Sequence, residues 1–206
     1  MLKKGLLVVI SGPSGAGKGT LCKALLGNND KIEMSVSCTT RTPRINEIEG
    51  VNYYFTTKEK FQKMINEDSF LEHAEVYDNF YGTPYFGIEK KLAEGYDVIL
   101  EIDIQGALKV KEKYPDGLFI FILPPSMEEL KNRIKKRGSE TEESFLKRFK
   151  SSFKEINYAS RYNYAVINDE VEDATHKLEC IIVAEKCRID RISKTYTYLQ
   201  EGYLNE

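Results

Sequence analysis

Gly12-Pro13-Ser14-Gly15-Ala16-Gly17-Lys18 follows the apolar run Leu6 to Ile10 and leads straight into a helical pattern, Lys18 to Leu26. The spacing matches GxxxxGK, and its setting is the one that motif requires, a buried strand before it and a helix after it. Glycines let the backbone wrap an anion and turn successive N–H groups toward it, and the helix that opens at Lys18 adds its positive end. Gly12, Ser14, Gly15, Ala16, Gly17, Lys18, Gly19 and Thr20 are therefore the candidate cradle for a nucleoside triphosphate. Lys18 supplies a point charge for the β- and γ-phosphates.

Working outward, the runs Leu6 to Ile10, Val98 to Ile102 and Leu118 to Leu123 read as buried parallel strands, with Tyr164 to Ile167 a weaker fourth. Helical patterns lie between and beyond them: Gln105 to Lys113, Met127 to Arg137, Glu142 to Ala159, and a last one from Val171 past Ile192. Strands alternating with helices predict an α/β fold, a parallel sheet flanked by helices. From Met34 to Asn79 this rhythm breaks. Ser35 to Thr40, Val51 to Thr56 and Phe70 to Tyr77 are rich in β-branched and aromatic residues, and one helix, Lys58 to Asn66, is interposed. The expected organisation is a single domain over 1–206. Its core is 1–33, 96–125 and 160–206, with a small mixed β insertion at 34–95 and a helical lid at 126–159. The lid is a helical hairpin broken at Gly138-Ser139, where Ser139 and Glu142 fit a capping box, and it holds little apolar surface.

The 206 residues are 41% hydrophobic and 30% charged, with a formal net charge of −2. That balance excludes a disordered chain and gives no basic field for nucleic acid. Lys131 to Lys150 carries eight Lys or Arg against three Glu, which composition alone reads as a solvated helix face. Cys22, Cys38, Cys180 and Cys187 form no CxxC pair and have no His cluster beside them, so neither zinc nor a disulfide framework is expected. Reduced thiols in the cytoplasm are expected. The apolar run after Lys3-Lys4 is too short for a leader and enters the glycine loop instead of a cleavage site. No stretch has the length of a membrane span. His73 and His176 read as structural.

The acceptor side has its own signature. Ser37-Cys38-Thr39-Thr40-Arg41-Thr42-Pro43-Arg44 sets two arginines three residues apart among hydroxyls, and their planar forks suit a dianionic phosphate. Tyr53 and Tyr81 add neutral donors. Glu72 and Asp103 sit in or beside apolar runs, where a lone carboxylate is costly. A guanine edge, with its N1–H and N2 amine, would satisfy them. The plainer alternatives are a helix cap for Asp103 and surface ion pairs for the arginines.

Gly12 to Lys18, Ser37 to Arg44, the Glu72 region, Asn79 to Thr83, Glu101-Ile102-Asp103-Ile104-Gln105-Gly106, Pro124-Pro125-Ser126, Arg133 with Arg137, Gly138 to Ser144 and Asn168-Asp169 together resemble the guanylate kinase family, in family order over about nine-tenths of the chain. The resemblance implies a P-loop core and the reaction MgATP plus GMP giving ADP plus GDP. It assigns Ser37, Glu72, Thr83 and Asp103 to the guanine, and Arg41, Arg44, Tyr53 and Tyr81 to its phosphate, with Glu47 orienting the arginines. Arg133, Arg137 and Arg148 are implied to close over the transferring phosphoryl group, and Asn168 to lie near the adenine. Lys18, Arg41, Arg137 and Arg148 are the implied catalytic set. ATP and Mg²⁺ are the implied cofactors, and the expected state is a monomer or weak homodimer.

Three departures stand out. Gly19 occupies the place where many phosphate loops carry a magnesium-ligating Ser or Thr. The Gly-Lys-Gly-Thr ending resembles adenylate kinases, in which the metal is held largely through water, so Thr20 and Asp103 are expected to hold it that way. Thr83 stands where Ser is frequent, and Glu101 where Asp is frequent. Of the two acids, Asp103 is favoured over Glu101. An adenylate kinase-like enzyme is disfavoured by the paired carboxylates. A non-catalytic scaffold module, which typically has a degraded phosphate loop, is disfavoured by the intact Gly12, Gly17 and Lys18.

Overall fold

A computed structural model describes residues 4–76, 78–136 and 142–192. Five parallel strands form the central sheet: β1 (Leu7–Ser11), β2 (Ile32–Met34), β7 (Asp97–Glu101), β8 (Leu118–Leu123) and β9 (Tyr164–Ile167), in the order β2-β7-β1-β8-β9. β1 is buried at every position, so its alternating side chains feed two different layers. Val8 and Ile10 meet Leu21 and Leu25 of α1 (Lys18–Asn28) and Leu178 and Ile182 of α7 (Val171–Lys186). Leu7 and Val9 meet Leu92 of α3 (Ile88–Ala93) and Ala107 and Val110 of α4 (Ile104–Lys113). Burying one such Leu or Val is worth about 1.5–3 kcal/mol, so these two layers are what hold the sheet.

The insertion folds as a second sheet in the order β4-β3-β6-β5, from β3 (Cys38–Thr39), β4 (Tyr54–Phe55), β5 (Phe70–Val76) and β6 (Asn79–Pro84). Its own small core stacks Phe61 of α2 (Lys58–Asn66) on Phe70 at 4.5 Å. Thr57 caps α2 by accepting from the Lys60 N–H.

Three elements exceed what the sequence pattern announces. β2 is a three-residue edge strand with only Ile32 fully buried, too short to show a period. α3 sits between two glycines and returns the chain to the main core through Ile88 and Leu92. β6 carries Gly82 and Pro84, both weak strand formers, and is held by its antiparallel pairing with β5 and β3. α7 ends at Lys186, short of the expected run past Ile192. Glu185, 1% exposed, gathers Arg188 and Arg191 at 2.9 Å each and so folds the following residues back onto the helix end.

The hairpin after β8 begins with α5 (Met127–Lys136) and resumes with α6 (Glu142–Ile156), followed by a 3-10 turn at Asn157–Arg161. Ser126 Oγ accepts from the Glu129 N–H and caps α5. Leu130 and Ile134 are fully buried, and a Cβ placed on Gly15 would lie 2.9 Å from Ile134, so α5 is seated on the glycine loop more firmly than its polar sequence indicates. Ser139, the expected cap, lies outside the described residues.

Candidate active site

Two clefts open side by side beyond the C-terminal ends of the parallel strands, where open α/β sheets place their ligands. The larger, about 510 Å³, is floored by Gly12, Ser14, Gly15, Gly17, Lys18 and Gly19 and walled by Gln105 and Leu108 of α4 and by Ser151, Lys154 and Tyr158. The smaller, about 270 Å³, is lined by Ser37, Tyr53, Glu72, Ala74, Tyr81 and Gly82. Glu101 and Asp103 line both clefts, so the two compartments abut at these carboxylates.

The glycine loop is held from behind. Asn168, buried just after β9, donates from Nδ2 to the Ala16 carbonyl at 2.8 Å, and Arg133 Nη1 donates to the Asn168 carbonyl at 3.0 Å while its Nε reaches Glu129 at 2.9 Å. Gly17 has φ +90°, and a Cβ there would lie 2.2 Å from Asn168 Nδ2, so both conformation and space require glycine. Ser152, fully buried in α6, reaches the Ser14 carbonyl at 3.4 Å. Lys18 Nζ donates to the carbonyls of Gly12 at 2.7 Å and Pro13 at 3.1 Å, which keeps the ammonium against the mouth of the loop. Gly19 faces the Glu101 carboxylate, whose oxygens would stand 3.4 Å from a Cβ at that position. Beneath the loop, burial and then the Glu101 charge push the Cys22 thiol up to about 12, against a smaller downward pull from Lys18. That thiol is inert packing.

In the smaller cleft Thr83 Oγ1 donates to Glu72 Oε1 at 2.7 Å, and Ser37 Oγ lies 3.5 Å from the same Thr83 oxygen. Burial raises the Glu72 carboxyl above its ordinary value; the Thr83 bond pulls it back, and the Asp103 charge adds to the rise. Gly106 makes room for this carboxylate, because a Cβ there would stand 3.2 Å from Glu72 Oε2. Asp103 does act as the cap of α4, accepting from the Gly106 N–H at 2.8 Å, and it lines both clefts as well.

Arg41 is clamped. Its two terminal nitrogens reach Glu47 Oε2 at 3.0 Å and Oε1 at 2.8 Å, a bidentate pair, and Nη1 also meets the Thr42 carbonyl at 2.7 Å. The guanidinium lies 5.6 Å from the Tyr53 ring and 5.9 Å from the Phe55 ring. The Arg41 bond lowers the Glu47 carboxyl, with the Arg44 N–H adding to it at 2.7 Å. Tyr53 packs edge-on to Tyr81, with ring centroids 6.0 Å apart. Arg44 has an exposed side chain, and Thr20 is exposed in the first turn of α1 and does not line the larger cleft.

Most sequence-designated residues thus converge: Gly12 to Gly19, Arg133 and Asn168 around one cleft, and Ser37, Tyr53, Glu72, Tyr81, Thr83 and Asp103 in or behind the other. Arg137 lies outside the described residues, and Arg148 is described only as a backbone position of α6. Glu101, ranked below Asp103 on the sequence, lines both clefts and lies beside Gly19. Its signal was an acid at the end of a strand adjacent to β1, whose C-terminal edge must face the glycine loop. Among the described residues, no helix is long and apolar enough to cross a membrane.

Comparison with known proteins agrees with this geometry. The family model described as guanylate kinase matches residues 4–185. The chain is similar to the guanylate kinase of Clostridium perfringens (strain SM101 / Type A), with 66% identity covering 98% of this chain and 94% of the relative. It is similar also to that of Caldanaerobacter subterraneus subsp. tengcongensis, with 62% identity covering 97% of each. The crystal structure of guanylate kinase from Anaplasma phagocytophilum aligns with a TM-score of 0.73 and 35% identity, covering 92% of this chain and 90% of that one.

Proposed function

The chain belongs to the guanylate kinase family and phosphorylates GMP to GDP with ATP as donor, and from that premise we propose how its residues divide the reaction. The observation that carries the division is the pair of abutting clefts, one floored by the glycine loop and the other by Glu72, which meet at Glu101 and Asp103.

ATP occupies the larger cleft. Loop N–H groups from Gly12 to Thr20 and the Lys18 ammonium hold its phosphates, and Arg133 and Asn168 brace the side of the adenine. Asn168 Oδ1, buried without a hydrogen-bond partner among the described residues, is an acceptor suited to a nearby donor such as an exocyclic amine. GMP occupies the smaller cleft. Glu72 accepts from the guanine donors, Ser37, Thr83 and Asp103 complete the base contacts, and Arg41, Arg44, Tyr53 and Tyr81 take the phosphate.

Transfer is a direct in-line displacement. An oxygen of GMP, already ionised at neutral pH, attacks the γ-phosphorus as its bond to the β-bridging oxygen breaks, so no general base is required. Lys18, Arg41, Arg137 and Arg148 stabilise the charge spread over the transferring group. The oxygen donors Glu101, Asp103 and Thr20 would hold magnesium, a hard cation, chiefly through water, and it would neutralise charge on the phosphates there. Glu101 stands beside Gly19, where a Ser or Thr ligand is missing, so we place it ahead of Thr20 in this role. Residues 34–95 form the acceptor arm and 126–159 a lid that excludes water from the transfer. The net charge of −2 gives no basic field for nucleic acid, and we place the enzyme in the cytoplasm as a monomer or weak homodimer.

Calorimetric titration of GMP and of ATP into a Glu72→Ala variant tests the division. GMP affinity falls at least about tenfold, the equivalent of ~1.4 kcal/mol, while ATP affinity stays put. Equal losses for both nucleotides would overturn the base assignment.

A further inference from the structure

The outer face of α7 carries a group of metal-ligating side chains that line neither cleft. Cys180 Sγ lies 3.6 Å from His176 Nε2, one helical turn away, and both residues are exposed. On the other side of the imidazole, Nδ1 is 3.9 Å from Glu179 Oε2. Glu179 is itself fixed, because Asn28 at the end of α1 donates to its Oε1 at 2.9 Å. The order is therefore Asn28, Glu179, His176, Cys180, running from the α1–α7 contact out to a solvent-facing thiol. Among the described residues no group of three or more His, Cys, Asp or Glu could hold a metal ion, so the protein's own contribution here is two ligands.

We propose that His176 and Cys180 form a bidentate surface site for a borderline or soft divalent cation of the zinc class, with Glu179 as a nearby carboxylate on the other side of the imidazole. Geometry supplies the first argument. Thiolate sulfur at ~2.3 Å and imidazole nitrogen at ~2.05 Å from a tetrahedral zinc, at an angle of roughly 109°, stand about 3.6 Å apart. That is the separation already present between Sγ and Nε2, so the two donor atoms stand at the spacing a shared ion requires.

The second argument is independent of the pair itself. A metal-bound histidine commonly directs its other ring nitrogen at a carboxylate, which sets the tautomer and raises the basicity of the ligating nitrogen. Glu179 stands on that side, and Asn28 holds it there from another helix. The donor types set selectivity. Sulfur and imidazole nitrogen favour zinc-class ions over magnesium, which prefers oxygen and keeps its waters. The site therefore does not compete for the magnesium that accompanies ATP. On binding, the sulfur lone pair goes to the metal and the thiol proton is released to solvent, while the remaining coordination positions keep water.

Cobalt(II) is the probe, titrated into the reduced full-length protein in the absence of nucleotide and followed by the near-ultraviolet thiolate-to-cobalt charge-transfer band. The parent and a Cys187→Ser control, which removes the other exposed thiol, are expected to saturate at one cobalt per chain, with zinc displacing it. In Cys180→Ser the band disappears, and in His176→Ala the affinity falls by about tenfold or more, the scale on which even outer-sphere partners act. Guanylate kinase activity with MgATP stays unchanged in these variants, which certifies their fold. A band of undiminished strength in Cys180→Ser, a cobalt affinity unaltered by His176→Ala, or no band in the parent would each overturn the site.

Discussion

Replacing Gly106 with alanine separates what this residue does for α4 from what it does for the GMP cleft. Glycine inside a helix costs roughly 0.5–1 kcal/mol relative to alanine, so on propensity alone the variant gains stability. The Gly106 N–H bond to Asp103 at 2.8 Å involves only the backbone and survives. Against this, the new Cβ stands 3.2 Å from Glu72 Oε2 and 3.4 Å from its carboxyl carbon. The carboxylate must retreat by a few tenths of an ångström, yet its other oxygen is tied to Thr83 at 2.7 Å. The two charged hydrogen bonds proposed from guanine to Glu72, each worth about 1.5–3 kcal/mol, would then be misplaced. If roughly half of one bond is lost, ~1.4 kcal/mol, the KM for GMP rises about tenfold. Steady-state kinetics with each nucleotide varied in turn, beside a thermal melt, make the test. The expectation is a raised KM for GMP, an unchanged KM for ATP, and a Tm that is level or up by about 2–4 °C per kcal/mol retained. A KM for GMP within twofold of the parent would refute the reasoning, as would equal rises for both nucleotides.

Three further outcomes follow from the same geometry. Because burial holds the Glu72 carboxyl above its ordinary value and the proposed guanine contact needs it ionised, the KM for GMP should climb as pH falls, from a higher pH than an ordinary glutamate would give, while the KM for ATP stays flat. The raised value also means that Glu72 favours the fold when protonated, a contribution present below its unfolded value and lost as pH rises through the folded one. Glu72→Gln should therefore flatten both the GMP profile and that part of the stability profile, as pH-dependent kinetics and melts will read; an unaltered slope contradicts it. Asn168→Ala leaves the buried Ala16 carbonyl without its 2.8 Å donor, costing about 1–3 kcal/mol, and should lower the Tm and raise the KM for ATP but not for GMP. Glu47→Gln should raise the KM for GMP by about two- to tenfold, less than the ~10²-fold that a 1 Å misplacement can cost, because the Thr42 carbonyl and the Tyr53 ring still hold Arg41; no change in KM would show that the clamp is idle.

How much was legible beforehand depended on how local each signal is. β8, β9 and α2 fall on the expected residues, β8 because an uninterrupted apolar run contains its own boundaries. The phosphate loop was equally plain, since its chemistry is contiguous. β2 and β6 were not, because their strand character comes from partners far along the chain. The early end of α7 was hidden for the same reason, being set by a buried Glu185 that has no local stop signal. In the site, residue types near each cleft could be named, but the bracing could not. Asn168 meets Ala16 across 152 positions and Ser152 meets Ser14 across 138. The Gly19–Glu101 contact likewise appears only once β7 is laid beside β1. His176, read as structural from the sequence, gains Cys180 and Glu179 as neighbours through one helical turn of α7.

A coupled assay of ADP formation from MgATP, with GMP, AMP, CMP and UMP offered separately to the folded protein, tests the central claim most directly. The two-cleft account predicts rapid turnover with GMP and rates lower by orders of magnitude with the other three. Comparable ADP release with AMP, or none with any monophosphate, would contradict it.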